Sequence, residues 1–194
     1  MGKIFYIIGK SSSGKDTIYK KILENNQFNL KQIVMYTTRP IRAKETEGVE
    51  YHFINDQEFE KLRSQDKIIE ERSYNTIHGL WRYFTVNDGQ MNTEEDCLMI
   101  GVLNSFVSTR EYYGREKVLP IFIDLDDGVR LQRALDRERI QDEPKYAELC
   151  RRYLADLEDF AENKIVEAGI TKRFYNEDLE KCLEEIGNYI KSMI

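Results

Sequence analysis

The chain has 194 residues, 33% of them charged and 41% hydrophobic, with a formal net charge of −6. That length suits one domain with a full buried core, and the acidic balance argues against a nucleic-acid platform. No apolar run approaches a membrane span, and the three widely spaced cysteines (Cys97, Cys150, Cys182) spell neither a disulfide framework nor a metal site, so reduced, mostly structural thiols are expected.

The run Lys3–Gly9 reads as a short buried strand, with Phe5, Ile7 and Ile8 apolar. No leader is expected ahead of it, and the expected location is cytoplasmic. Then comes Gly9-Lys-Ser11-Ser12-Ser13-Gly14-Lys15-Asp16-Thr17, and a helical pattern through Ile18, Ile22 and Leu23. Two glycines bracketing four residues, followed by lysine, is the spacing of a Walker A phosphate loop. The glycines let backbone N–H groups converge on one anion, and the helix adds its positive dipole end. Lys15 supplies a mobile charge for the outer phosphates. The position that usually carries a magnesium-ligating hydroxyl holds Asp16, with Thr17 beside it. A carboxylate can also ligate magnesium, so Asp16 is the candidate metal residue; a plain helix-start role is its alternative.

Residues 27–36 read as a connection into a second strand, and Thr37 to Arg42 as a polar, basic loop. Glu50–Ile54 is a short strand, and Asn55 or Asp56 caps a helix carrying Phe59 and Leu62. Ile68-Ile69 and Leu80–Val86 are further short strands, so residues 36–85 form a small β-rich insertion. Thr38, Arg39, Arg42 and Tyr51 within it suit a dianionic phosphate, since each guanidinium can make paired contacts; a solvated basic loop is the rival reading. Glu70 or Glu71 could accept from a base edge, although the residues alone favour a charged strand end in water. Tyr74, Trp81, Tyr83 and Phe84 read as local core, with stacking by Tyr74 or His78 left open. His52 and His78 have no ligand-spaced partners.

Asp96–Leu103 is an apolar central strand and a helix is expected from Val107 to Tyr113. Lys117–Leu125 is another strand, in which Pro120 suggests its start or an irregularity. Asp126 or Asp127 caps a helix through Leu135, and Glu143-Pro144 opens a long helix to about Glu162. Ile170–Tyr175 is a possible edge strand before a final amphipathic helix with Leu179, Leu183, Ile186 and Ile190 on one face. Alternating strands and helices imply a parallel sheet covered on both sides. Arg137, Arg139, Arg151 and Arg152 stand where two late helices meet. Arginines there can neutralise a transferring phosphoryl group; surface pairing with Asp136, Glu138, Glu143 and Glu148 is the alternative.

The stretch Tyr36-Thr-Thr-Arg-Pro-Ile-Arg42, followed by Gly48-Val-Glu-Tyr-His-Phe53 and placed after a phosphate loop, resembles the guanylate kinase family. The resemblance implies a single α/β domain of the three-layer P-loop NTPase fold: a core of residues 1–35 and 86–194 with a parallel sheet, an acceptor lobe of residues 36–85 and a helical lid near 137–152. It implies ATP with Mg2+ as donor and GMP as acceptor. The donor would be held by Gly9, Ser11, Ser12, Ser13, Gly14, Lys15, Asp16 and Thr17, with Arg137, Arg139 and Arg151 acting beside Lys15. The acceptor would meet Thr38, Arg39, Arg42, Tyr51, Glu70, His78 and Gly79. Three departures follow. Met35 replaces a base-reading serine, His78 replaces a phosphate-touching tyrosine, and Leu98–Leu103 lacks the family's two aspartates. These leave open a different nucleotide or phosphorylated metabolite as acceptor, or a non-catalytic module that binds phosphorylated or acidic segments. No nucleic-acid or membrane partner is expected, and the protein would be a monomer or homodimer.

Overall fold

The computed structural model describes residues 2–25, 27–76, 79–91 and 94–194. The first part of the chain runs β1 (Ile4–Ile8), α1 (Lys15–Asn25), β2 (Lys31–Gln32), β3 (Tyr36–Thr37), β4 (His52–Phe53) and α2 (Asp56–Ser64). The hairpin β5 (Ile68–Thr76) and β6 (Gly79–Val86) leads to β7 (Cys97–Gly101), α3 (Leu103–Tyr113), β8 (Val118–Asp124) and α4 (Asp127–Arg139). Last come α5 (Tyr146–Asp159), α6 (Glu162–Glu167), β9 (Arg173–Tyr175) and α7 (Leu179–Met193).

Among the described residues the strands form two sheets. One has the order β2-β7-β1-β8-β9 and all its pairings are parallel. The other has the order β4-β3-β6-β5 and carries the antiparallel hairpin. Every residue of β1 is buried, as a central parallel strand requires. Ile4, Tyr6 and Ile8 point toward Leu103 and Phe106 of α3 and Ile165 of α6. Phe5 and Ile7 point the other way, toward Ile18 and Ile22 of α1 and Cys182, Ile186 and Ile190 of α7. This period of two along one strand produces the three layers. Phe59, Phe84 and Val86 make a separate small core for the β-rich lobe.

Several expected elements differ in extent. The connection into a second strand becomes two strands in two sheets. Its backbone leaves the large sheet at Val34, where the Gln90 side chain takes over both hydrogen bonds (3.0 Å from Val34 N–H, 3.2 Å to its carbonyl). The strand expected at Ile68-Ile69 runs on for nine residues because β6 pairs along it. Helix α3 begins at Leu103, four residues before Val107, with Ser105 Oγ accepting from Val102 N–H at 3.1 Å. The long late helix opens at Tyr146 and stops at Asp159. Phe160, 4% exposed and stacked on Phe122, draws the chain into the core there.

Pro120 stands inside β8 rather than at its start. Ile4 N–H donates to the Lys117 carbonyl, so alternate residues of β8, beginning with the odd ones, face β1. The missing donor of Pro120 therefore faces the other side, where β9 pairs only from Phe122 onward. The two caps were foreseen: Asn55 accepts from Glu58 N–H in a reciprocal capping box, and Asp126 accepts from Val129 N–H. Cys97 and Cys182 are buried and Cys150 is exposed, all three as free thiols. No helix among the described residues is long and apolar enough to cross a membrane.

Candidate active site

The phosphate loop leaves the C-terminal end of β1, beside which the chain reverses the direction in which it lays down strands, the place where α/β folds hold ligands. Two residues of the loop have left-handed backbone, Ser12 at φ 63° and Gly14 at φ 89°. Packing holds the glycines to their identity as well. A Cβ on Gly9 would stand 2.6 Å from the Ile123 carbonyl, and one on Gly14 would stand 2.1 Å from Asn176 Nδ2. That same Asn176 amide donates to the Ser13 carbonyl at 2.7 Å, and Arg133 donates to the Asn176 carbonyl at 3.2 Å. The loop is thus braced from beneath by the end of β9.

A second brace comes from α4 and α5. Arg130, 1% exposed, donates to Asp127 and to the Ser11 carbonyl, and its guanidinium lies over the Tyr153 ring. Asp156 accepts from Ser11 N–H at 2.7 Å and lies 3.5 Å from Arg130. Lys10 pairs with Asp127 at 3.0 Å, and Arg130 and Lys10 overcome the effect of burial to hold that carboxyl below its ordinary value. Of these brace residues Asp127 was singled out from the sequence only as a possible helix cap, and Arg130, Asp156 and Asn176 not at all. Buried arginine and asparagine give no periodic signal, and their partners in the phosphate loop lie more than a hundred residues away.

The four late arginines separate in space. Arg137 reaches Ser12 Oγ at 3.1 Å, and with Arg152, which also lies 3.6 Å from Glu148, it lines a narrow crevice beside Ser11 and Ser12. Arg139 instead pairs with Asp136 at 3.7 Å, and Arg151 makes two bonds of 2.7 Å to Glu148. Both are more than half exposed, so the surface-pairing alternative describes them. Lys15 is largely covered, with Nζ 3.3 Å from the carboxylate of Asp16, which is itself 77% exposed; Thr17 is exposed too.

Between the core and the lobe lies a cleft of about 570 Å³. Lys15 and Asp16 line it from the start of α1, Met35 and Gly101 from the sheet, and Tyr51 and Arg72 from the lobe. Tyr51 is part of a ring chain with Tyr83 and Tyr74, and burial raises its hydroxyl above the ordinary phenol value. Arg39, 3% exposed, is not free in the loop. It makes two hydrogen bonds to Glu45 (2.6 and 2.7 Å), one to Tyr83 Oη, and lies against the rings of Tyr51 and Phe53. Burial works against its charge, but Glu45 and Tyr83 outweigh that and raise its pKa. Arg42 is exposed, and Thr38 is spent on Arg82 N–H. Gly79 opens β6, while His78 lies outside the described residues.

Glu70 and Glu71 face opposite ways. Glu71 pairs with Arg63 and Arg82 on the α2 side. Glu70 is buried, not a strand end in water: it accepts from Thr85 Oγ1 at 2.8 Å and from Arg72 Nε at 3.0 Å. Tyr74 is 45% exposed whereas Phe84 is fully buried against Phe59, so only part of the expected aromatic cluster is core. His52 packs on Tyr36 and contacts Glu47 at 2.9 Å.

The guanylate kinase family model matches residues 1–82. A guanylate kinase of Agrobacterium fabrum is 38% identical over 78 residues, which is 40% of this chain and 34% of that protein. One of Neisseria gonorrhoeae is 42% identical over 69 residues, 36% of this chain and 33% of that protein. The alignments thus span about a third of the length of the curated relatives. The crystal structure of guanylate kinase from Anaplasma phagocytophilum superposes with a TM-score of 0.69 at 22% identity, over 98% of this chain and 85% of that one. The chain has the guanylate kinase fold. The family-model match spans the phosphate loop, the arginine loop and most of the hairpin, and the structural match extends over α4 and α5 as well.

Proposed function

We propose that the protein is a nucleoside monophosphate kinase that transfers the γ-phosphoryl group of ATP to an acceptor monophosphate, with GMP the first candidate. The observation that carries this reading is the shared cleft. Lys15 and Asp16 of the donor loop and Tyr51 and Arg72 of the lobe line one cavity, so donor and acceptor can meet in line. The guanylate kinase family-model match over residues 1–82 and the partial matches to curated guanylate kinases support the same reading.

In this reading the loop amides and Lys15 hold the donor phosphates, and Arg137 and Arg152 stand beside them to neutralise charge as it spreads over the moving group. Arg139 and Arg151 could join only by leaving Asp136 and Glu148. The acceptor phosphate meets Tyr51 and Arg42, with Arg39 held as a preset wall by Glu45. Residues 36–85 act as the acceptor lobe and 137–152 as the lid, whose approach would exclude water as a competing acceptor.

Magnesium fits this chain through one carboxylate. Asp16 is exposed to the cleft one residue from Lys15, and magnesium beside nucleotides is held by one or two carboxylates plus phosphates and water. Among the described residues no group of three or more His, Cys, Asp or Glu could cage an ion. When bound, the ion would offset phosphate charge.

The test is protection against heating. ATP with magnesium is expected to raise the melting temperature, since a ligand that binds only the native state stabilises it. Lys15→Ala is expected to abolish most of the shift. No shift with the wild-type chain would defeat the proposal.

A further inference from the structure

We propose that Arg72 turns the acceptor end of the cleft into a reader of base carbonyl oxygens, so that the acceptor is a 6-oxopurine nucleoside monophosphate taken with or without its 2-amino group. The inference rests on reading the cleft as the acceptor site. Its basis is which atom the cleft meets. Arg72 lines the cavity and Glu70 does not. The Glu70 side chain is 4% exposed and the Arg72 side chain 15%. Both Glu70 oxygens are engaged: Oε1 accepts from Thr85 Oγ1 at 2.8 Å and Arg72 Nη2 at 3.2 Å, and Oε2 accepts from Arg72 Nε at 3.0 Å. The acceptor that a base amine would need is therefore covered by a donor.

Arg72 spends Nε and Nη2 on Glu70, and Nη2 also touches Met35 Sδ at 3.8 Å. Nη1 makes no hydrogen bond among the described residues, so it is the edge left for a ligand. A guanidinium has donors only, so its partner must bring an acceptor. Charge decides which kind. The pair with Glu70 is already neutral as a unit, and a dianionic phosphate placed there would face the carboxylate behind Arg72. A carbonyl oxygen needs only the donor. Arginine against a purine O6 and N7 edge is a favourable geometry for the same reason.

Gly101 at the end of the neighbouring strand cannot be exchanged for an amine reader. A Cβ on Gly101 would stand 2.4 Å from Tyr6 Oη and 2.7 Å from Ser105 Oγ. These two hydroxyls are bonded to each other at 2.8 Å inside the core, so no side chain can be carried there. The carboxylates that do line the cleft, Asp16, Glu24 and Glu50, come from α1 and from the loop before β4.

The experiment is titration calorimetry of the whole chain with GMP, IMP, XMP and AMP, which reads binding without catalysis. IMP and XMP are expected to bind within about three-fold of GMP, and AMP, which offers an amine in place of O6, at least about ten-fold more weakly. The double variant Glu70→Gln with Arg72→Met removes the pair together and leaves no lone buried charge; it is expected to shrink the gap between IMP and AMP below about three-fold. GMP bound more than three-fold tighter than IMP, or AMP bound as well as IMP, would overturn the inference while leaving the kinase reading intact. Binding of none of the four would also overturn the inference, while the kinase reading falls only if ATP with magnesium gives no thermal protection.

Discussion

Gly14 shows how closely single residues are specified. Its φ of 89° is one that L side chains rarely adopt, and the space a Cβ needs is filled by the Asn176 amide. Gly14→Ala is expected to cost about 2 kcal/mol or more, from backbone strain and from the orphaned Ser13 carbonyl, measured by urea unfolding. It should also erase the ATP-dependent rise in melting temperature. The sequence marked Gly14 through its motif spacing but gave no sign of Asn176, because the contact crosses 163 residues and involves one uncharged amide. Glu45 is a similar case. Arg39 was legible as a basic loop residue, but its burial between Tyr51 and Phe53 and its bidentate bond to Glu45 depend on how the loop folds back. Hydrogen bonds from Arg39 hold the Glu45 carboxyl below its ordinary value of 4.5. A lowered folded pKa adds stability above the unfolded value, and that stability is lost as pH falls through the folded one. Glu45→Gln is therefore expected to cost about 2–4 kcal/mol near neutral pH, by leaving Arg39 buried and unpaired. The wild-type and variant stability curves should converge in acid, below about pH 4.5. Curves that stay parallel through that range would show that the pair contributes nothing.

Elements were legible where one period dominates. The buried alternation of β1, the capped starts of α2 and α4 and the apolar face of α7 all stand near their expected places. Boundaries moved where a tertiary contact ends an element, as Phe160 does for α5 and Gln90 does after β2. Helix α5 also gains a role its sequence does not announce. Asp156 on its inner face ties the helix to the phosphate loop through Ser11 N–H and Arg130. Asp156→Ala is expected to cost about 1–3 kcal/mol, since it leaves a polar group and part of a buried guanidinium unsatisfied. Asp156→Asn, which keeps an acceptor for the amide, should recover a good part of that loss. Equal stability of the two variants in thermal denaturation would mean that the bond to Ser11 carries no weight.

At the scale of the whole molecule, the parallel sheet and the lobe sheet put the phosphate loop and the Tyr51 and Arg72 wall of the lobe on one cleft. The alternation of strands and helices was enough to anticipate the parallel sheet, and the short strands within residues 36–85 the separate β-rich sheet. The arginines that reach the loop were not separable in sequence from those that stay on the surface: Arg137 and Arg139 are two residues apart, yet a helix turns them to different faces. The most direct test of the central claim is ADP formation by the purified chain with ATP and magnesium across a panel of nucleoside monophosphates, beside Lys15→Ala. The account predicts turnover that depends on an added 6-oxopurine monophosphate and falls by about a hundred-fold or more in the variant. Turnover that is absent with every acceptor, or unchanged without Lys15, would contradict it.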